Sequence, residues 1–284
     1  MPAGRAGGMT AAMFSFLRKR RPPEMPLDLR GVVDDPREAW LRARGAPFLF
    51  EVPAARIRAL GFAGSDPDNP FVVTLRDYAA GRCSAYKGSA LEDFYRHWQP
   101  FRTAHDATAG QPEPPWRKSR RKPENTASGR LQRSEFCDIA RELGVRPEDI
   151  RGHITGGPVT GAFGEVTFRR LARLYDSVRH DGFRPDQSDA SYPSGTCHLR
   201  GDDFRVTVGS GKHRVTVLLA LGWSKIPVEL GHRKAPGATR REEVGDWPNV
   251  RSGLYTPEEA LRLFDANFED RHPSGWSAAP DATR

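Results

Sequence analysis

Residues 204–230, FRVTVGSGKHRVTVLLALGWSKIPVEL, leave the chain few ways to fold. Phe204 to Val208 alternates apolar and polar side chains, the two-residue period of a strand with one buried face. Gly209, Ser210 and Gly211 interrupt that pattern, and glycine accepts backbone angles that a Cβ forbids. Beyond them the period changes: Val215, Leu218 and Leu219 fall on one face of a helix, and Gly222 marks its end. Ile226 to Leu230 then reads as a second buried strand. Strand, glycine turn and helix in this order set the free N–H groups and positive dipole end of a helix start beside Lys212, His213 and Arg214. Such a place attracts anions.

The same run resembles the central box of the ParB/sulfiredoxin-like superfamily, a Gly-x-x-x-(His/Arg)-Arg turn, a helix, a Leu-Gly pair and an Ile-Pro-Val strand. The matching positions are Gly209, Gly211, His213, Arg214, Leu221, Gly222, Ile226, Pro227 and Val228. Upstream, Leu174 to Val178 followed by Gly182 and Phe183 resembles the superfamily's first box, in which a Ser-Val or Ser-Ile pair precedes a glycine. The order of the two boxes is also the superfamily's. The resemblance implies an α/β (α+β) fold, a small mixed sheet with surrounding helices, and a nucleotide whose phosphates rest on Gly209, Ser210, Gly211, Lys212, His213 and Arg214. Members with this box include CTP-dependent partition proteins, free-serine kinases and sulfinic-acid reductases, so ATP and CTP are the implied ligands, with Mg²⁺ as a possible companion. Partition proteins that hydrolyse CTP place a Glu where Lys212 stands, and sulfiredoxins place their reactive Cys there. Neither chemistry carries over. Residues 88–95 and 247–256 add a Gly-Ser-x-Leu-x-x-Phe-Tyr and a Trp-Pro-x-Val-x-x-Gly-x-Tyr-Thr. Together they resemble a group of bacterial ParB-like proteins associated with surface-polysaccharide pathways.

Arg214 is the strongest phosphate candidate, because a guanidinium grips two oxygens at once; its structural alternative is a buried pair with Asp202 or Asp203. Lys212 adds a point charge and His213 a proton carrier. Phosphoryl transfer further needs a carboxylate to hold a metal or accept a proton. The catalytic candidates are Glu165, Asp176 and His213, and the sequence does not choose among them. Three functional readings are open: a nucleotide-dependent kinase, NTPase or nucleotide-gated switch; a DNA-binding adaptor without catalysis; and a noncatalytic scaffold in a polysaccharide pathway. The net charge of +8 and the basic run Trp116 to Lys122 favour polyanionic partners, nucleic acid among them, although such a run is also an ordinary solvated loop.

A chain of 284 residues accommodates a substantial core, and its 28 Gly and 24 Pro assign much of it to turns. Cys83, Cys137 and Cys197 lie far apart, a pattern that fits a reducing cytoplasm better than a disulfide framework or a zinc ribbon. Cys197 has only His198 beside it, so no redox role is expected. No apolar run approaches the ~20 residues that cross a bilayer. The expected organisation is a disordered leader over 1–26, an accessory region over 27–109, a basic Pro-rich linker over 110–130, the ParB/sulfiredoxin-like unit with its C-terminal helix over 131–271, and a disordered tail over 272–284. Within these, Phe48 to Val52 reads as an edge strand and Ala54 to Leu60 as a short helix. Further helices are read over Phe71 to Ala80, after a Ser89/Glu92 capping box, over Leu131 to Leu143, through Phe168 to Val178, and after the Thr256/Glu259 box. The stripe Leu91, Phe94, Tyr95 and Trp98 reads as core before it reads as a platform for a base or a sugar.

Overall fold

The structure is a computed structural model that describes residues 25–100, 114–117, 137, 139–185, 192–231 and 238–278. The first stretch supplies β1 (Leu27–Asp28), α1 (Pro36–Ala43), β2 (Phe48–Pro53), β3 (Ile57–Ala59), β4 (Phe62–Ala63), α2 (Pro70–Ala79) and α3 (Ala90–His97). Next come α4 (Gly161–Asp181), β5 (Ser194–Arg200), β6 (Asp203–Ser210), α5 (Lys212–Ala220) and β7 (Lys225–Leu230). The last stretch holds β8 (Ala238–Arg240), a 3-10 run at Arg241–Asp246, α6 (Pro248–Arg251) and α7 (Pro257–Asp265). The result is a mixed α/β fold. One eight-stranded sheet runs in the order β1-β2-β7-β5-β6-β3-β4, with β8 parallel to β5, and helices surround it.

The centre of the sheet is the β5–β6 hairpin, paired from Ser194 opposite Ser210 to Arg200 opposite Asp203. Its tight end turns at Gly201, whose φ of 55° is the left-handed conformation glycine adopts without strain. The alternation read from the sequence is the observed one: Phe204, Val206 and Val208 are buried. Behind the hairpin, α5 packs against α2 and α4, and Val215 through Leu219 are buried without a break. This helix has no solvent face over those five residues. The long helix α4 comes close to its neighbours because residue 164 is a glycine; a Cβ there would lie 2.2 Å from the Tyr86 ring.

Several expectations are corrected. Of the accessory region expected over 27–109, residues 27–100 are not a separate layer, since β2 and β3 are strands of the common sheet; residues 101–109 lie outside the described residues. β2 runs antiparallel to β7 in unbroken register from Phe48 opposite Leu230 to Pro53 opposite Lys225, and β3 lies parallel to β6. β2 is therefore an internal strand, with β1 on its other side, and its burial at Phe48, Leu49, Phe50 and Val52 follows from that. The helix expected over Ala54 to Leu60 is a single 3-10 turn, Ala54–Arg56, followed by β3. β-branched Ile57, fully buried, pairs there with Val206. The remaining helices form where the sequence places them. Asn69 caps α2, Ser89 caps α3 and Thr256 caps α7 through a reciprocal box with Glu259. Residues 139–143 are helical; residues 131–136 and 138 lie outside the described residues, as do the leader up to residue 24 and most of the expected linker.

The expected disordered tail is also corrected over residues 272–278; residues 279–284 lie outside the described residues. His272 stacks on Phe62 at 4.2 Å, and Trp276 meets the edge of Phe94 at 5.9 Å. Arg58 anchors the approach to this segment by donating to the carbonyls of Glu269 and Gly61. Aromatic burial, which composition alone did not signal, holds the tail down. No described helix is long and apolar enough to cross a membrane.

Trp276→Ala is expected to cost about 3 kcal/mol, the usual range for truncating a buried aromatic. Urea unfolding of the full chain measures it, and an unchanged midpoint would mean the tail does not pack.

Candidate functional site

β6 delivers the chain to the surface: Val208 is buried, whereas Gly209 and Ser210 are exposed. Gly211 then turns it into α5 with φ 76° and ψ 23°. A side chain at Gly211 would also collide, since its Cβ would stand 2.9 Å from Pro193 Cα and 3.1 Å from Arg214 Nη2. The turn thus needs glycine twice over, for its backbone angle and for the close approach of β5's leading residue.

Side chains cap α1, α2, α3, α4 and α7, but none caps α5. Its first-turn N–H groups and dipole end remain directed at whatever lies before Gly211. Lys212, His213 and Arg214, all partly buried, occupy this first turn.

Three further basic groups converge on the same place from elsewhere in the chain. A Cβ on Gly209 would lie 3.6 Å from Arg117 Nη2, so that guanidinium sits against the turn. Arg117 also bears electrostatically on Lys212, and Arg170 of α4 bears on His213. His153, in the loop before α4, is close enough to feel Lys212. Its Nδ1 accepts from the Thr155 N–H at 3.2 Å and lies 2.7 Å from Thr155 Oγ1, which leaves the proton of the neutral ring on Nε2. This loop is tied to α3, with Gly157 N donating to Trp98 O and Tyr95 Oη to Ile154 O.

The electrostatics have one sign. Burial, reinforced by Arg117, lowers the Lys212 ammonium, and burial lowers the Arg214 guanidinium. Burial also brings His213 down to about 4, helped by Arg170 and Lys212, and His153 to about 4, helped by Lys212. No described carboxylate contributes to the shifts of Lys212 and His213. Among the described residues no acid pairs with Lys212 or Arg117. His213 Nε2 is buried with no hydrogen-bond partner.

The expected acids are committed elsewhere. Glu165 pairs with Arg169 at 2.8 Å and accepts from Tyr86 N, while Asp176 accepts from Tyr78 Oη at 2.7 Å. Neither contributes to the shifts of Lys212, His213 or Arg214. Of the alternative partners proposed for Arg214, Asp203 binds Arg205 at 2.7 Å and approaches Arg56 at 3.6 Å, and Asp202 precedes it at the same end of β6, the far end from the turn. The arrangement suits a phosphate group and does not suit Mg²⁺. Lys212, Arg214, Arg117 and Arg170 are nitrogen cations, and among the described residues no group of three or more His, Cys, Asp or Glu is placed to hold a metal. Cys197 is fully buried and its thiol is pushed up by that burial, the opposite of an activated nucleophile.

Sequence reading missed Arg117, His153 and Arg170. For Arg117 there was a signal in the neighbouring tryptophan. Trp116 lies 4.9 Å from His198 and 5.6 Å from Trp247, and it meets Phe264 edge-on. A tryptophan in a basic, Pro-rich run anchors its neighbours in the chain, and the expectation of a solvated linker fails over residues 114–117. Compared with protein-family models, with curated proteins and with solved structures, the chain matches none. The likeness to the ParB/sulfiredoxin-like superfamily therefore stands on its motif.

Four histidines are held neutral by burial: His153, His213 and His272 at about 4, and His198 at about 3. Each takes up a proton on unfolding between its folded value and the ordinary one near 6.5, so stability is full above pH 6.5 and falls as pH drops toward 4. Thermal melts from pH 7.5 to 4.5 at constant ionic strength should show this decline with no bound anion; a flat profile would mean that water reaches these rings.

Proposed function

We propose that the chain is a nucleotide-binding protein that seats phosphate groups at Gly209–Arg214, on the uncapped N-terminus of α5. The observation that carries this reading is the Lys212 ammonium, partly buried beside Arg117 with no acid paired to it among the described residues. An unpaired charge in such a place costs free energy unless a counter-charge arrives. A phosphate supplies it and also accepts from the backbone N–H groups of the helix start. The orphaned His213 Nε2 adds a side-chain donor when protonated. The motif likeness points the same way, since the positions that resemble the superfamily's nucleotide box are those that form the turn.

Within this reading, a binding protein or nucleotide-gated switch is favoured over a phosphotransferase. Glu165 and Asp176 hold structural partners away from the turn, and no described carboxylate is placed there to position a metal or to accept a proton. Retention and release of the nucleotide, rather than a chemical step, is what these residues can govern. Arg214 grips the phosphate oxygens, and Lys212 balances their charge.

Titration calorimetry with ATP, CTP, ADP and GTP should show binding to the full chain, with Lys212→Met or Arg214→Ala reducing it tenfold or more. Lys212→Met should also raise the melting temperature of the ligand-free protein by the equivalent of about 1 kcal/mol, because it removes a charge that costs stability until an anion is bound. No binding by any of the four nucleotides, or a Lys212→Met protein that binds them normally, would overturn the reading.

A further inference from the structure

Residues 114–117 are fastened at one end and charged at the other. Asn249, which is buried, donates from its backbone N to Pro115 O at 3.0 Å and from Nδ2 to Pro114 O at 2.8 Å. Trp116 is packed between the sheet and a C-terminal unit of residues 241–268, the 3-10 run, α6, α7 and the turn after it, touching His198 of β5 and the rings of Trp247 and Phe264. Arg117 N closes the turn by donating to Pro114 O. A segment held by two hydrogen bonds and a tryptophan has little freedom, so the direction of Arg117 is set by the C-terminal unit. That direction is the Gly209 side of the glycine turn, where the guanidinium would lie 3.6 Å from a Cβ at residue 209.

Structural arginines ordinarily meet a carboxylate. Among the described residues Arg117 meets none, and its charge instead bears on the Lys212 ammonium and on the fully buried His198 ring. Two cations are thus placed at the Gly209–Gly211 backbone, Arg117 against Gly209 and Lys212 directly after Gly211. One phosphate is satisfied by the helix start and Lys212 alone; a second, linked to it, extends the ligand toward Gly209 and reaches a guanidinium already in place.

We infer that residues 114–117 are a second arm of the anion site, in which Arg117 binds the far phosphate of a ligand carrying two or more linked phosphates and Asn249 holds that arm in position. This rests on the assignment of the turn as a phosphate site and narrows its ligand to the pyrophosphate-bearing class, nucleoside diphosphates and triphosphates included. Arg117 is a ligand-binding residue, and Asn249 is a positioning residue.

Inorganic pyrophosphate and inorganic orthophosphate are the probes, titrated calorimetrically into the full chain at constant ionic strength. Arg117→Ala should weaken pyrophosphate tenfold or more, equivalent to about 1.4 kcal/mol, and change orthophosphate by less than twofold. Arg117→Lys, which keeps the charge but loses the fork, should fall between wild type and Arg117→Ala. Asn249→Ala should show the same selectivity in smaller measure, a pattern that general loosening of the fold does not produce. Thermal melts confirm that each variant is folded. If Lys212→Met loses both anions while Arg117→Ala binds both normally, or weakens both equally, the second arm is wrong and the turn stands. If the wild-type protein binds neither anion, or Lys212→Met binds both unchanged, the turn assignment fails and the arm fails with it.

Discussion

Val215 to Leu219 are buried in succession, and this fixes more of the molecule than any other contact. An amphipathic surface helix can roll a few degrees and keep its apolar stripe covered. A helix enclosed by α2 and α4 on a sheet cannot roll or slide without opening a cavity, and each exposed core side chain there would cost about 2–5 kcal/mol. The axis of α5 is therefore set by packing, and so is the place where its N-terminal dipole emerges. Gly211 is the consequence at the backbone level, since β6 and a fixed α5 can be joined at that spacing only through a left-handed residue against Pro193.

A fixed helix start with no cap is an energetic defect unless something fills it. Capping side chains contribute about 1 kcal/mol each, and α1, α2, α3, α4 and α7 all have one. Beside α5 the chain places Lys212, Arg214 and, from distant segments, Arg117, Arg170 and His153. Burial disfavours the charged forms of Lys212, Arg214 and His153. Among the described residues Lys212 and Arg117 meet no acid, although they lie at a dipole end of the same sign. Under the proposed reading, an anion seated at the turn offsets this local frustration, in a molecule whose other long helices are conventionally finished.

How much the sequence disclosed depends on the range of the interactions involved. The β6 alternation, the glycine turn, the α5 start and the caps at Ser89 and Thr256 all depend on residues a few positions apart, and they are found as read. Pairings across the chain left no such mark. The run FLFEVP shows that residues 48–53 are a buried strand, but nothing in it names residues 225–230 as the partner, and an apolar run is equally compatible with an edge. The 3-10 turn and short strand at 54–59 read as a helix because Ile57 and Leu60 satisfy a helical spacing, while the pairing with β6 that decides the matter lies far along the chain. The site was legible to the same degree: Gly209 to Arg214 are contiguous, whereas Arg117, His153 and Arg170 come together only through the fold. Glu165 and Asp176 were attractive because carboxylates on a helix are visible in sequence, but their partners Arg169, Tyr86 and Tyr78 are not recognisable as such there.

The C-terminal unit explains how parts so far apart in sequence keep one geometry. Arg200 of β5 lies over the Phe268 ring at 4.1 Å, and Thr207 Oγ1 of β6 donates to Asn267 Oδ1 at 3.0 Å. These contacts seat the unit on both strands of the hairpin that aims the glycine turn. The same unit grips residues 114–117 through Asn249, Trp247 and Phe264. Arg117 and Lys212 are consequently referred to one rigid frame, the first through the C-terminal unit and the second through α5. His198, buried with neither ring nitrogen hydrogen-bonded, lies where the frame and Trp116 meet, an arrangement that costs about 1–3 kcal/mol for each unsatisfied group. The contact that holds Arg117 at the turn is thus also one that covers the buried His198 ring.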